Sequence, residues 1–174
     1  RIIPVQVCPH MLGQRRDRRR DVQDEQREGG GELEADRKVI ALFDRAAEVL
    51  PQIIENNIRP LDIVTQESID NAFILDLAMG GSTNTVLHTL ALANEAGIKY
   101  DLKRINELSD VTPNVCKVSP SRPDVHVEDV HALGGIAAIL KAIKDDGRAP
   151  LNLDLPTCVG SLREYVESAP DADG

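Results

Sequence analysis

Five consecutive small or polar residues, Gly80-Gly81-Ser82-Thr83-Asn84, are where this chain most plainly offers chemistry. An apolar, helix-compatible run from Ala72 to Met79 stops at the double glycine, and an amphipathic run begins directly after it. A helix that starts there gathers hydroxyls and unbonded backbone N–H groups at its partially positive end, which suits a carboxylate or a phosphate. The same residues also make an ordinary glycine-broken hairpin in which Ser82 or Thr83 only caps a helix. His88 lies four residues beyond Asn84 and so shares its helical face. It either polarises a substrate oxygen or shuttles a proton, or it is a half-buried structural histidine.

A second glycine pair, Leu133-Gly134-Gly135, repeats the arrangement of Met79-Gly80-Gly81. Each pair puts backbone amides at a helix start where Cβ atoms would crowd a ligand. Ahead of the second pair stands His126-Val127-Glu128-Asp129-Val130-His131, whose residue types are those of a metal site. On a helix, however, residues five apart diverge by about 140°, so His126 and His131 do not share an ion as an i, i+4 pair does. Helix-start polarity and capping are the expected use of this segment. Cys8, Cys116 and Cys158 form an odd, widely spaced set without a C-x-x-C pair, which fits a reducing compartment and gives no spacing for a metal cluster. No Ser-His-Asp order, Walker loop or dinucleotide G-x-G-x-x-G is present, so no self-contained active site is legible.

The elements that must position these residues follow from periodicity. Residues 1–36, with Arg15-Arg16-Asp17-Arg18-Arg19-Arg20 and Gly29-Gly30-Gly31, read as an irregular, solvated and mobile segment. From Asp36 the apolar stripe Ile40, Phe43, Ala47, Leu50 and Ile54 predicts a helix that Pro51 kinks or restarts. Thr65 is an N-cap for a helix from Gln66 to Met79. The next helix is capped by Ser82 or Thr83 and ends at Gly97. Ile98 to Tyr100 reads as a short strand, and Asp101 caps a brief helix with Leu102, Ile105 and Leu108 facing inward. Asn114 to Val118 reads as another short strand. Helices follow over Val125–Leu133 and Ile136–Lys144, and Ser161 with Glu164 makes an S-x-x-E capping box for a last one.

Bulk properties narrow the class. With 174 residues the chain suffices for one ordinary domain. Its aromatic residues are two Phe and two Tyr, so the core must be built from Ala, Leu, Ile and Val, as in closely packed helices. A net charge of −9 argues against a nucleic-acid surface. No apolar run approaches the roughly 20 residues that span a bilayer, so no membrane partner is expected. No secretory signal is visible, which points to the cytoplasm, or to an organelle stroma or matrix in a eukaryote. The pattern as a whole is that of part of an α/β domain, helix-rich with few short strands.

The stretch from Asn71 through Ala78-Met79-Gly80-Gly81-Ser82-Thr83-Asn84-Thr85-Val86-Leu87-His88 closely resembles the dihydroxy-acid and phosphogluconate dehydratase family. Ala93-Asn94-Glu95-Ala96-Gly97, Cys116-Lys117-Val118-Ser119-Pro120, the His126–His131 segment and Gly134-Gly135-Ile136 continue the likeness. It spans roughly Asp36 to Ser168 and is closer to the branched-chain dihydroxy-acid enzymes. The resemblance implies a hydro-lyase that turns a 2,3-dihydroxy acid into a 2-keto acid in branched-chain amino acid biosynthesis. It further implies an iron–sulfur cluster acting as Lewis acid on the leaving hydroxyl, Mg²⁺ holding the substrate, a serine base, and a homodimer. Those aids answer a physical need, since hydroxide leaves poorly and the C2–H bond is weakly acidic.

The cysteine motifs that carry the family's cluster, one of them a Cys-Asp-Lys, do not occur here. Cys8 stands in Val7-Cys8-Pro9-His10, and Cys116 directly precedes Lys117. The expectation is therefore a fragment, with residues 37–174 forming the second half of the family's N-terminal α/β domain, inactive by itself and unable to bind cluster or Mg²⁺ fully. Gly80, Gly81, Ser82, Thr83, Asn84 and His88 are the expected substrate- or cluster-proximal residues. Two other readings stay open: a non-catalytic helical scaffold that kept the fold and lost the cluster, and a small anion-binding module built on the two glycine-led helix starts.

Overall fold

The computed structural model describes residues 30–119 and 122–170. Every regular element among them is a helix. In chain order these are α1 (Gly30–Glu55), α2 (Pro60–Ile63), α3 (Gln66–Ala78), α4 (Thr83–Glu95), α5 (Leu102–Val111), α6 (Val127–Ala132), α7 (Gly135–Asp146) and α8 (Leu162–Glu167). The described chain divides into two compact units, one up to residue 58 and one from residue 59 onward.

The first unit is α1. It begins at Gly30, ahead of the Asp36 start expected from periodicity, and the remainder of the segment 1–36 and its arginine run lies outside the described residues. The helix does not restart at Pro51, which sits inside it. A proline there removes only one backbone bond, four residues from the helix end. The apolar stripe is exposed: Val39, Ile40, Leu42, Phe43, Leu50 and Ile54 show between 48% and 69% of their surface.

The second unit is organised around α3. Thr65 caps it as expected, its Oγ1 accepting the Ser68 N–H at 3.2 Å while Ser68 Oγ accepts the Thr65 N–H at 2.8 Å. Apolar residues occur all round α3 rather than on one stripe, the pattern of a helix surrounded by others. Ile69, Phe73, Ile74 and Ala78 are buried, and α3 packs against α4, α5 and α7. Ala93 of α4, Ile105 and Leu108 of α5, Ile139, Leu140 and Ile143 of α7, and Val166 of α8 join them in the core, together with Val115, Ala149 and Leu153 of the connecting segments. Phe73 stacks on Tyr100 with ring centroids 5.5 Å apart.

Three sequence-based expectations need correction. Ile98–Tyr100 and Asn114–Val118 are extended but are not strands, because a strand needs a neighbouring strand to receive its N–H groups. Here the receivers are helix ends: Ile98 N–H donates to the Ala93 carbonyl, and Val115 and Cys116 N–H both donate to the Ala78 carbonyl, at 2.8 and 3.2 Å. Leu102, expected to face inward with Ile105 and Leu108, is exposed at the first position after the Asp101 cap. The α6 helix starts after His126 rather than at Val125, since Asp129 Oδ2 accepts the His126 N–H at 2.7 Å and makes His126 the cap. The helices after Thr65, Ser82, Asp101 and Ser161 start at the caps read from the sequence.

Candidate functional site

Why α3 stops where it does sets the geometry of the site. Gly80 takes φ +64° and closes a Schellman turn: Gly81 N–H donates to the Asp76 carbonyl at 2.8 Å and Gly80 N–H to the Leu77 carbonyl at 3.2 Å. This satisfies the last carbonyls of α3 and turns the chain into α4 at once. Ser82, not Thr83, is the N-cap: its Oγ accepts the Asn84 N–H at 3.2 Å, and its carbonyl accepts the Thr85 N–H at 2.9 Å. Among the described residues the Ser82 and Thr83 N–H groups have no protein acceptor.

Gly81, Ser82, Thr83, Asn84 and His88 are all exposed, and Gly80 is half-buried. The turn therefore brings the expected residues together on one accessible edge. His88 is a solvent-facing group one turn along from Asn84 and not the half-buried structural histidine that its sequence context also permitted.

Three side chains not foreseen as site residues lie against this turn. The Asp76 carboxylate fills the space where a Cβ on Gly81 would stand. The Lys117 stem comes within 3.7 Å, and the Asn114 amide nitrogen within 4.0 Å, of the position a Gly80 Cβ would take. The extended segment that carries them is pinned to the end of α3 by the two N–H donors to Ala78. Their signal in the sequence was absent, because nothing in a one-dimensional pattern places residues 114–117 beside residue 80.

The second glycine pair serves packing instead. Gly134 takes φ +103°, and a Cβ there would lie 2.7 Å from Cγ of Pro170. Lys141 Nζ donates to the Ala169 carbonyl at 2.9 Å and holds that segment in place. The space beside Gly134 thus belongs to Pro170, which removes the likeness to the first pair.

A separate buried polar group sits further along α3. Asp70 accepts from Tyr100 Oη at 2.5 Å and from Arg104 Nη2 at 2.6 Å and Nε at 3.2 Å. Burial, and then the hydrogen bond to Asp70, push the Tyr100 phenol well above its ordinary range, so it stays protonated. The bond to Asp70 raises the Arg104 guanidinium further still. Beside it, Asn71 pairs in both directions with the backbone of Asn152, at 2.6 and 2.9 Å. Every polar atom named in this group is satisfied, as a structural network requires. A shallow depression of about 410 Å³ lies at the far end of α4, lined by Leu90, Asn94, Lys99 and Tyr100 among others.

The described cysteines do not fit an iron–sulfur cluster. Such clusters need several thiolates around one point, and burial pushes the half-buried Cys116 thiol up, towards its protonated form. Cys158 is exposed, Cys8 lies outside the described residues, and among those described no three His, Cys, Asp or Glu side chains converge as metal ligands. No described helix is long and apolar enough to cross a membrane.

The family model for the N-terminal domain of dihydroxy-acid and 6-phosphogluconate dehydratases matches residues 29–165. The match thus begins upstream of the Asp36 start read from the sequence and includes both glycine turns and α1 to α7.

Proposed function

The chain belongs to the dihydroxy-acid/6-phosphogluconate dehydratase family, and we propose that it acts in a hydro-lyase converting branched-chain 2,3-dihydroxy acids to 2-keto acids. The observation that supports this reading is the accessible Gly80–Asn84 turn inside the matched region. In this reading the turn faces substrate, and α3 and its buried network hold it rigid. Loss of water leaves an enol, which tautomerises to the keto acid.

The choice of a branched-chain acid over a phosphogluconate rests on the Val86-Leu87-His88 and Cys116-Lys117-Val118-Ser119-Pro120 stretches. In the proposed parent enzyme, a homodimer, Lewis acidity would come from an iron–sulfur cluster and substrate binding from Mg²⁺, neither held by the described residues of this chain. Because the family's cluster-bearing cysteine motifs do not occur in its sequence, the 174-residue chain is proposed to be inactive alone. Anaerobic reconstitution with iron and sulfide, followed by a keto-acid assay, tests this. Less than a stoichiometric cluster and no product are expected, and a full cluster absorbance per chain would contradict it.

A second reading, a helical interaction protein without catalysis, is favoured by one observation, the exposed stripe of α1. Its members Ile40, Phe43, Ala47, Leu50 and Ile54 alternate spacings of three and four residues, the seam by which two like helices pair. A second copy of the chain is the occupant this spacing fits. Catalytic competence after assembly with cluster-bearing segments separates the two readings.

A further inference from the structure

The end of α7 carries chemistry of its own. Asp146-Gly147 is the Asp-Gly pair among the described residues. Such a pair closes on itself more readily than others, because glycine has no Cβ to screen its backbone nitrogen. The Gly147 nitrogen bonds to Cγ of Asp146, its proton is released, and a carboxyl oxygen leaves as water. The five-membered imide then takes water back at either carbonyl. One opening restores aspartate. The other leaves isoaspartate, in which the side-chain carbon has become part of the main chain. No co-reactant other than water enters.

The fold engages both reacting groups. Arg148 clamps the Asp146 carboxylate with two bonds, Nε to Oδ2 at 2.8 Å and Nη2 to Oδ1 at 3.0 Å. This fork holds the carboxyl below its ordinary range and so in the ionised form, from which oxygen leaves far less readily than from the protonated acid. The Asp146 side chain is only 10% exposed. The nucleophile is engaged as well, since Gly147 N–H donates to the Ile143 carbonyl at 3.2 Å as the C-cap of α7. Ring closure must release both contacts. Its product would lengthen the main chain directly after the helix whose Ile139, Leu140 and Ile143 belong to the core.

We propose that Asp146-Gly147 is a latent isoaspartate-forming site, kept closed in the folded chain by the Arg148 clamp and the Gly147–Ile143 hydrogen bond. The proposal is independent of the proposed function. Arg148 acts here as a positioning residue that withholds the electrophile.

The test incubates the full 174-residue chain at neutral pH and follows isoaspartate at residue 146 by electron-transfer fragmentation of the peptide that contains it, so that Asp173-Gly174 does not contribute. The folded wild type is expected to react more slowly than the same chain in urea. Arg148→Gln is expected to raise the folded rate about fivefold. Arg148→Lys, which keeps a cation without the fork, is expected to fall between the two. Arg163→Gln is the control, since Arg163 makes an equally exposed fork with Asp154 elsewhere on the fold. It is expected to leave residue 146 at the wild-type rate. Equal rates in wild type and Arg148→Gln, or a rise as large in Arg163→Gln, would overturn the role of Arg148. A folded wild type that reacts as fast as the chain in urea would overturn the proposal altogether.

Discussion

The carboxylate of Asp76 occupies the space that a side chain at Gly81 would need. The two residues are joined by more than proximity, since Gly81 N–H also donates to the Asp76 carbonyl. The second glycine of the turn is thus explained by a neighbour within the same chain, and Asp76 is held at the turn by the glycine's lack of a side chain.

Gly81→Ala is accordingly expected to destabilise the chain by about 1 kcal/mol, the cost of forcing a short side chain out of its position. Asp76→Ala removes the obstructing atoms, so the double variant Gly81→Ala/Asp76→Ala should lose less than the sum of the two single changes. Urea denaturation of the three variants measures the coupling. Strict additivity would mean that the contact does not constrain Gly81.

Much of this was legible in advance, and the reason is local. Thr65, Ser82, Asp101 and Ser161 each cap the helix that the sequence assigned to them, because a cap and its N–H partner lie within three residues of one another. The helix break at Gly80-Gly81 was legible for the same reason. What failed were features set by distant residues. The segments 98–100 and 114–118 have β-compatible residues, yet their N–H groups meet helix ends and find no strand. Gly134 looked like Gly80 until Pro170 was placed beside it. Asp70 and Asn71 sit on an apolar helix with no local hint of partners, which come from residues 100, 104 and 152.

The Asp70 network predicts a pH dependence. The Tyr100 phenol is raised above its ordinary value of 10.0 in the folded chain. A raised acid holds its proton in the folded state after the unfolded state has released it. Its contribution is therefore complete below pH 10 and is lost as pH climbs from there towards the folded value. Tyr100→Phe should cost about 1 kcal/mol at pH 7 through the lost hydrogen bond, and its deficit relative to wild type should shrink above pH 10. Thermal melts at pH 7 and pH 11 give both numbers, and a deficit that grows with pH would refute the assignment.

Removing Arg104 leaves Asp70 buried with the Tyr100 hydroxyl, at 2.5 Å, as its remaining side-chain partner among the described residues. Arg104→Met is expected to lower stability by about 2 kcal/mol, less than for a fully buried pair because the guanidinium is partly exposed. Chemical denaturation checks this, and a change near zero would mean that water replaces the guanidinium without loss.

Thr112 Oγ1 is buried without a hydrogen-bond partner among the described residues. Thr112→Val keeps the shape and removes the unsatisfied hydroxyl, so it should raise stability by about 1 kcal/mol. A loss of stability on melting would show that the hydroxyl is satisfied in solution.

If α1 pairs with a second copy, a charge on its stripe should prevent that. Phe43, 69% exposed, is the most open of the large apolar residues described in α1. Phe43→Asp should shift the chain from dimer to monomer in sedimentation velocity without changing its helical circular dichroism. A wild-type chain that is already monomeric at high micromolar concentration would refute the pairing.

The proposed function requires the Gly80–Asn84 turn, and not the other glycine pair or the depression at the end of α4, to face the substrate. It is tested most directly by titrating the ¹⁵N-labelled chain with 2,3-dihydroxy-3-methylbutanoate and following amide resonances. Saturable shifts are expected at Gly80, Gly81, Thr83 and Asn84, with Gly134, Gly135 and Lys99 unmoved. Shifts centred on Gly134-Gly135 or on Asn94–Asp101, or no saturable shifts at all, would contradict it.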